Sequence, residues 1–491
     1  MIFASLPLLS VRDFDRSILN ERTRRTCFAF FMLIICAVLA DQKALAFDDV
    51  DFKPSGEFRA RYFNDLNSTG LSSGKGTGTG QSADAGARLT TNILARKGET
   101  LQVFGSFLYN LQFGANNTYD GSLAAGSSGS TSAANGGGNN GVLVNRAWGQ
   151  WKVTNSVTAK FGRLGIELGD GSVFSENTWE KVPTEQDGID ILWDIEVAKL
   201  RLIAIKTHEY SLLPNLGVGG AGPVASIATD PERNFYGVSA DARNLPVFVK
   251  SLNVHAFQVN SDPITDSSSS RGRDNWQHYG LSMAGEYGHF GYHLDGAYQT
   301  GYLGILQAAS TTPFSHNLSA NMIDVEVSYQ VPDWLSFKVA VGGHRDTGSD
   351  ESSTTRTYQS LYYDQHFFAG LMDVVGWGNL TYANLIFTIA PREEFVLGLA
   401  GYLLSRTQTA SGAAFGDRYA SLTAAQSASE FAGSRSLIGT ELDGFAEKTF
   451  EGNFKLDGHA SVFIPGAYLR DGNVSHNLTM AQIMIDATLP F

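Results

Sequence analysis

The sequence predicts an all-β chain, a transmembrane antiparallel β-barrel of about 18 strands (16–18). Three observations carry this reading. Segments of about ten residues alternate apolar and polar side chains with a period of two, as a wall between hydrocarbon and water requires. Gly (53 residues), Tyr and Phe are plentiful, while no long amphipathic helix and no strand–helix alternation appears. The two ends carry an export-like leader and an amphipathic strand closing on Phe491.

At the amino end, Arg22, Arg24 and Arg25 precede an apolar run over 27–39, followed by Ala44-Leu45-Ala46. This is the order of a secretory signal: positive region, apolar region, small-residue cleavage site. The apolar run is too short to span a bilayer as a helix. Residues 1–46 are therefore read as a cleaved signal peptide and 47–491 as the barrel with long extracellular loops. Cleavage after Ala46 removes Cys27 and Cys36 and leaves a mature chain with no thiol, disulfide or thiolate metal site. It also removes six of 36 Lys/Arg and four of 49 Asp/Glu, leaving a net charge of about −15. Such an acidic balance speaks against nucleic acid as a partner.

The strands follow in order. In 57–63, Phe58, Ala60 and Tyr62 share one face, and Glu57, Arg59 and Arg61 the other. In 101–113, Leu101, Val103, Phe107, Tyr109, Leu111 and Phe113 lie opposite Gln102, Ser106, Asn110 and Gln112. Strands of a soluble sandwich are usually nearer six residues. The remaining segments are 87–95, 142–153, 157–164, 188–194, 199–207, 235–240, 247–258, 278–287, 291–300, 323–330, 335–343, 380–389, 395–404, 440–448, 454–463 and 478–491. Even strand numbers suit single-chain bacterial barrels.

Connections alternate in length. Asn155-Ser156, Gly288-His289 and Pro332-Asp333 read as periplasmic turns, and 68–81, 115–141, 213–232 and 407–436 as extracellular loops. The Gly-rich run 74–80 lacks the strand before it and the helix after it that a phosphate loop needs. In the last segment Ala481, Ile483, Ile485, Ala487, Leu489 and Phe491 oppose Gln482, Met484, Asp486 and Thr488. A final strand of this kind resembles the recognition signal of the outer-membrane assembly machinery. That machinery and outer-membrane lipid are the expected partners, with a polar or anionic solute in the lumen. Pro490 is tolerable at a strand end.

Gly162-Arg163-Leu164-Gly165, then Asp170-Gly171, Asn177, Trp179 and Asp187, form one motif. His366-Phe367-Phe368-Ala369-Gly370-Leu371-Met372-Asp373 with Asn379-Leu380 form a second, and 438–443 through 463–466 a third. In order and spacing, over roughly 142–491, these stretches are similar to the alginate-export-type outer-membrane porin family. The resemblance implies an 18-stranded barrel whose charged lumen passes an anionic polysaccharide. It implies that Arg163 and Asp170 sit at the constriction with Asn177 beside them. It also implies that Arg146 points inward with Gln150 and Lys152, that Arg59 and Arg61 line the first strand, and that Asp373 and Glu441 hold these arginines in fixed poses.

A separate physical argument supports lumen arginines. A guanidinium facing lipid at mid-depth costs about 2–4 kcal/mol. Inside an aqueous lumen it pairs with carboxylates or selects anions. The alternative is structural: charged networks rigidify any barrel. A polyanion exporter also calls for an electropositive lumen, whereas the chain is acidic, so other small or sugar-like solutes fit equally. Trp148, Trp151, Trp179, Trp193, Trp276, Trp334 and Trp377 fall mostly near strand ends, as interfacial girdles do.

No zinc-protease or nucleophile-elbow motif appears, so neither an enzyme nor a cofactor or metal is expected. His366, near Asp364 and Asp373, reads as an interfacial residue. The functional reading is a channel. The alternative is a plugged barrel whose long loops, 115–141 above all, bind a ligand or surface. An energy-coupled receptor would need a large plug domain before the first strand, and alternation begins too early for one.

Overall fold

The computed structural model describes residues 50–66, 81–113, 141–168, 171–179, 183–207, 233–265, 269–308, 312–331, 335–348, 354–360, 365–409, 435–470 and 479–491. The predicted leader, Asp170, Trp334, Pro332-Asp333 and most of the long loops lie outside them.

Eighteen strands form the wall: β1 (Val50–Leu66), β2 (Gln81–Lys97), β3 (Leu101–Phe113), β4 (Gly141–Lys152), β5 (Val157–Leu164), β6 (Gln186–Asp194), β7 (Ala198–Thr207), β8 (Arg233–Ala242), β9 (Val249–Ser261), β10 (Asn275–Tyr287), β11 (Phe290–Ala308), β12 (Phe314–Gln330), β13 (Lys338–Asp346), β14 (Leu380–Arg392), β15 (Phe395–Arg406), β16 (Leu437–Thr449), β17 (Lys455–Pro465) and β18 (Met480–Pro490). Each pairs antiparallel with the next, and β1 pairs with β18 (Arg61 opposite Asp486), closing the barrel. Closure gives every strand two partners, the condition for placing sheet backbone in hydrocarbon. Among the described residues helix is confined to single turns, α1 (Gln365–Phe368), α2 (Ala467–Arg470) and a 3₁₀ turn (Glu451–Asn453).

Every predicted segment falls on one of these strands. Several strands run further at the loop end, most clearly β11 and β12. Ladder pairing continues there although the polar sequence no longer marks a lipid face. Phe58, Val103, Phe161, Ile189, Leu202, Val327, Leu399 and Ile485 are exposed on the outer surface. Their sequence neighbours point inward, as the pleat demands. The last strand follows this rule: Ile483, Ile485 and Leu489 are exposed, while Gln482, Met484 and Asp486 are buried.

Short turns cluster at one end, for example 98–100, 153–156, 195–197 and 288–289, and long connections at the other. The two-residue hairpin at 288–289 uses Gly288 at φ 62°, a left-handed conformation that glycine takes without steric cost.

The described parts of two long connections lie in the lumen: 165–168, 171–179 and 183–185 between β5 and β6, and 347–348, 354–360 and 365–379 between β13 and β14. They carry a hydrophobic core inside the barrel. Ile166, Val173 and Phe174 of the first, and Tyr358, Met372, Val375 and Trp377 of the second, pack with inward residues such as Ile205, Phe257, Tyr402 and Phe463. The tryptophan girdle is corrected accordingly. Trp276 and Trp377 are buried in this core, and Trp148 and Trp179 face the lumen. Among the described tryptophans only Trp151 (52% exposed) and Trp193 (48%) face outward. A tryptophan near a strand end is as well placed to cover an inward loop as to meet a headgroup.

Candidate functional site

The first inward loop is held by a basic wall. Arg59 and Arg61 alternate with lipid-facing Phe58, Ala60 and Tyr62, so both reach the lumen. Asp486 of β18 accepts Arg59 Nε at 2.6 Å and Arg61 Nε and Nη2 at 2.8 and 2.6 Å. The remaining guanidinium nitrogens donate to the loop tip: Arg59 Nη1 to the Thr178 carbonyl at 2.8 Å, Arg61 Nη1 to the Trp179 carbonyl at 2.8 Å, and Arg88 Nη1 to Thr178 at 3.2 Å. Arg61 also lies 3.8 Å over the Trp179 ring, and Arg88 pairs with Glu57 at 2.9 Å. Hydrogen bonds to charged groups contribute about 1.5–3 kcal/mol each, so this tip is firmly placed.

The base of the loop is pinned by Arg146, which binds Glu185 at 2.6 Å and Glu176 at 2.5 Å. Burial pushes the Glu185 carboxyl up to about 7 against the pull of Arg146. Gly165 fits between these groups because a Cβ there would lie 2.5 Å from Glu176 Oε1 and 2.7 Å from Arg146 Nη2. Asn177 takes φ 48°, and its N–H donates to Ser175 Oγ at 3.0 Å. Arg201 binds Asp190 through two 2.8 Å bonds and the Glu167 carbonyl at 2.6 Å.

Carboxylates of the opposite wall hold the second loop by its backbone. Glu441 accepts the Met372 N–H at 2.8 Å and Asp443 the Leu371 N–H at 3.4 Å. Gly370 (φ 100°) passes so close that a Cβ would lie 2.5 Å from Glu441 Oε1. Asp346 accepts the Gly378 and Leu380 N–H groups at 2.6 Å each. Asp373 is buried, which raises its carboxyl well above the usual range, and His366 Nδ1 lies 3.2 Å from both of its oxygens. The His366 ring stacks on Trp179 at 3.4 Å and 7°. The two loops meet at this stack.

Arg59, Arg61, Arg146, Asn177, Asp373 and Glu441 therefore all lie within the inward loops or at their contacts with the wall. Two expectations are corrected. Asp373 and Glu441 serve the second loop, whereas the carboxylates holding the arginines are Asp486, Glu57, Glu176 and Glu185. Arg163 is not at the constriction. It shares the outer face with Phe161, stands opposite Ala147 and Asp187, and binds Asp187 at 2.9 and 3.1 Å. The inward position in its motif is Gly162, between Trp148 and Gly188. Arg163 sits near the loop end of β5, where facing outward costs little. Asp170 is outside the described residues. Arg88, Lys160 and Arg201 were missed, although alternation places each on the lumen face. Alternation puts Asp486 on the polar face of its strand but gives no sign of its arginine partners.

The alginate export family profile matches residues 140–481. No curated protein matches the chain. Among solved structures, a BenF-like porin from Pseudomonas fluorescens Pf-5 is 11% identical, with 90% of this chain and 98% of that one covered and a TM-score of 0.55. OpdK of Pseudomonas aeruginosa, crystallised with vanillate, is 9% identical over 90% and 98% at a TM-score of 0.54. OccK8 (OprE) of the same organism is 11% identical over 90% and 98% at 0.53. At these identities the likeness is one of fold.

Proposed function

The chain belongs to the alginate export family and is an outer-membrane channel, and from that premise we propose that it passes polar anionic solutes along the β1–β7 wall of its lumen. The observation that carries this is a division of charge. Inward cations Arg59, Arg61, Arg88, Arg96, Arg146, Lys160 and Arg201 come from β1–β7. Inward Asp295, Asp324, Asp346, Glu441 and Asp443 come from β11–β16, where Arg406 is the one buried arginine among the described residues, while the described part of β1–β7 buries the acids Asp65 and Asp190. A solute passing beside the first loop, which this wall itself fastens, meets guanidinium and ammonium groups on that side. Cations of this kind, most of them held by carboxylates, favour anions while letting them leave again. An anionic polysaccharide and smaller sugar-like acids both fit this chemistry.

In planar bilayers the purified protein is expected to give discrete conductance steps with chloride favoured over potassium by reversal potential. Silent bilayers or a cation-selective pore would overturn the reading. We further propose export with cleavage after Ala46 and assembly through the strand ending in Phe491. An outer-membrane form beginning elsewhere than Phe47, or normal assembly after removal of Phe491, would count against these two steps.

A further inference from the structure

The arginines around the first loop are already committed: Arg59 and Arg61 to Asp486, Arg88 to Glu57, Arg146 to Glu176 and Glu185, Arg201 to Asp190. Two inward rows from Arg146 toward the short turns, the situation differs. Arg96, Gln102, Gln150 and Lys160 stand in register across β2, β3, β4 and β5. Their neighbours Leu101, Val103, Trp151 and Phe161 are exposed on the outer surface, so all four side chains point inward. Among the described residues neither Arg96 nor Lys160 forms an ion pair, and Arg96 Nε is buried without a hydrogen bond. Asp190 continues the row but is taken at both oxygens by Arg201.

Directly above lies an aromatic pair, Phe104 and Trp148, with ring centroids 5.0 Å apart and planes at 17°. The next position in that row is Gly162, and the Lys160 ammonium reaches 4.7 Å from the Trp148 ring centroid. Two unpaired cations, two primary amides and an aromatic surface thus share one patch between the first loop and the short-turn end.

We propose that Arg96, Gln102, Gln150 and Lys160, beneath the Phe104–Trp148 pair, form a periplasm-side subsite for a sugar acid. This rests on the channel reading above. A carboxylate takes the charge-assisted bonds that Arg96 and Lys160 lack. Hydroxyls match the amide donors and acceptors of Gln102 and Gln150, and the apolar face of a sugar ring matches Phe104. The two cations are three strand spacings apart, about 14 Å between backbones. A linear solute with repeated carboxylates engages both at once, and a single sugar acid engages one.

The test uses the whole barrel. Oligogalacturonate is added on the short-turn side of a planar bilayer, with a neutral malto-oligosaccharide of equal length as the control. Current interruptions are expected from the acid. Arg96→Gln and Lys160→Gln should each shorten their dwell time about threefold, and the double variant about tenfold or more, while Lys160→Arg retains most of it. Unchanged dwell times in the double variant would overturn the proposal, as would an equal loss for the neutral sugar. Calorimetric titration of the detergent-solubilised protein with the same two sugars gives a readout independent of conduction. If the bilayers are silent while acid binding falls in the double variant, the channel reading fails and the subsite stands. If conduction is normal and neither readout responds, the subsite fails alone.

Discussion

Replacing Asp486 by Asn tests whether the cations of β1 stand in the path of the permeating ion. Asp486 is 1% exposed and accepts hydrogen bonds at 2.6–2.8 Å from both Arg59 and Arg61. The Asn side chain is nearly isosteric, so the main change is one lost negative charge beside two guanidinium groups. An ion passing about 6 Å away feels a unit charge as about 0.7 kcal/mol in water-like surroundings and about 2.8 kcal/mol at an effective permittivity near 20. The lower figure suits a wet lumen and changes an ion's local occupancy about threefold. Anions gain what cations lose, so the chloride-to-potassium permeability ratio should rise about tenfold. Reversal potentials in a KCl gradient measure it. The pair also crosses the β1–β18 seam, and breaking a buried pair costs about 3–5 kcal/mol. Heat-modifiability on gels therefore establishes first that the variant is folded. Asp194→Asn is the control, because the Asp194–Arg243 pair is half exposed between neighbouring short turns, outside the lumen. A folded Asp486→Asn barrel with an unchanged permeability ratio would refute the placement of the pathway along this wall.

Three further outcomes follow from the same geometry. Glu185, raised by burial from 4.5 to about 7, is mostly protonated at pH 6 and mostly ionised at pH 8. Lowering the pH across that window leaves Arg146 less compensated and should raise anion selectivity with a midpoint near 7. The stability contributed by its raised pKa is full below 4.5 and lost as pH rises through about 7, and both trends should vanish in Glu185→Gln. Trp179→Ala removes the stack on His366, about 0.5–1.5 kcal/mol, and the face under Arg61, about 0.5–2 kcal/mol, so single-channel conductance should rise and grow noisier. An unchanged trace would show that the two loops do not narrow the passage. Arg163→Ala should leave ion selectivity as it is, since the residue faces outward, and a clear shift in reversal potential would return it to the lumen.

The wall was legible because it follows from a local property. Each side chain's face is fixed by its neighbours' faces, and 18 stretches of alternation marked all 18 strands. The ion pairs were not, because closure brings together residues such as Arg59 and Asp486 that are 427 positions apart. The inward loops leave a trace in the sequence. Connections 165–185 and 347–379 contain Ile166, Leu168, Phe174, Tyr358 and Trp377, whereas 114–140 is almost wholly Gly, Ser, Asn and Ala. A connection with its own apolar side chains needs a place to bury them, and inside a barrel that place is the lumen. Arg163 fails for a different reason. Counting from exposed Phe161 puts it on the outer face, and a one-residue error reverses every side. The motif drew attention to the arginine, while the position that touches the lumen is the glycine before it.

That distinction bears on where specificity resides. A loop drawn into a barrel carries backbone N–H groups away from water, and each needs an acceptor. Glu441, Asp443 and Asp346 supply acceptors to residues 371, 372, 378 and 380. Gly165 and Gly370 leave room for the carboxylates that lie against them. Most of the described motif residues are therefore fasteners between loop and wall. Groups already engaged in fastening have little left to offer a passing solute, and removing one should loosen a loop and change conduction for every solute alike. Discrimination between solutes then falls to lumen side chains whose charges are not used up in this way, and Arg96 and Lys160, outside all three motifs, are of that kind. Charge-removing changes at Glu441 and at Lys160 should accordingly separate: the first alters conduction for acidic and neutral sugars alike, and the second shortens the dwell times of an acidic sugar while leaving those of a neutral sugar unchanged.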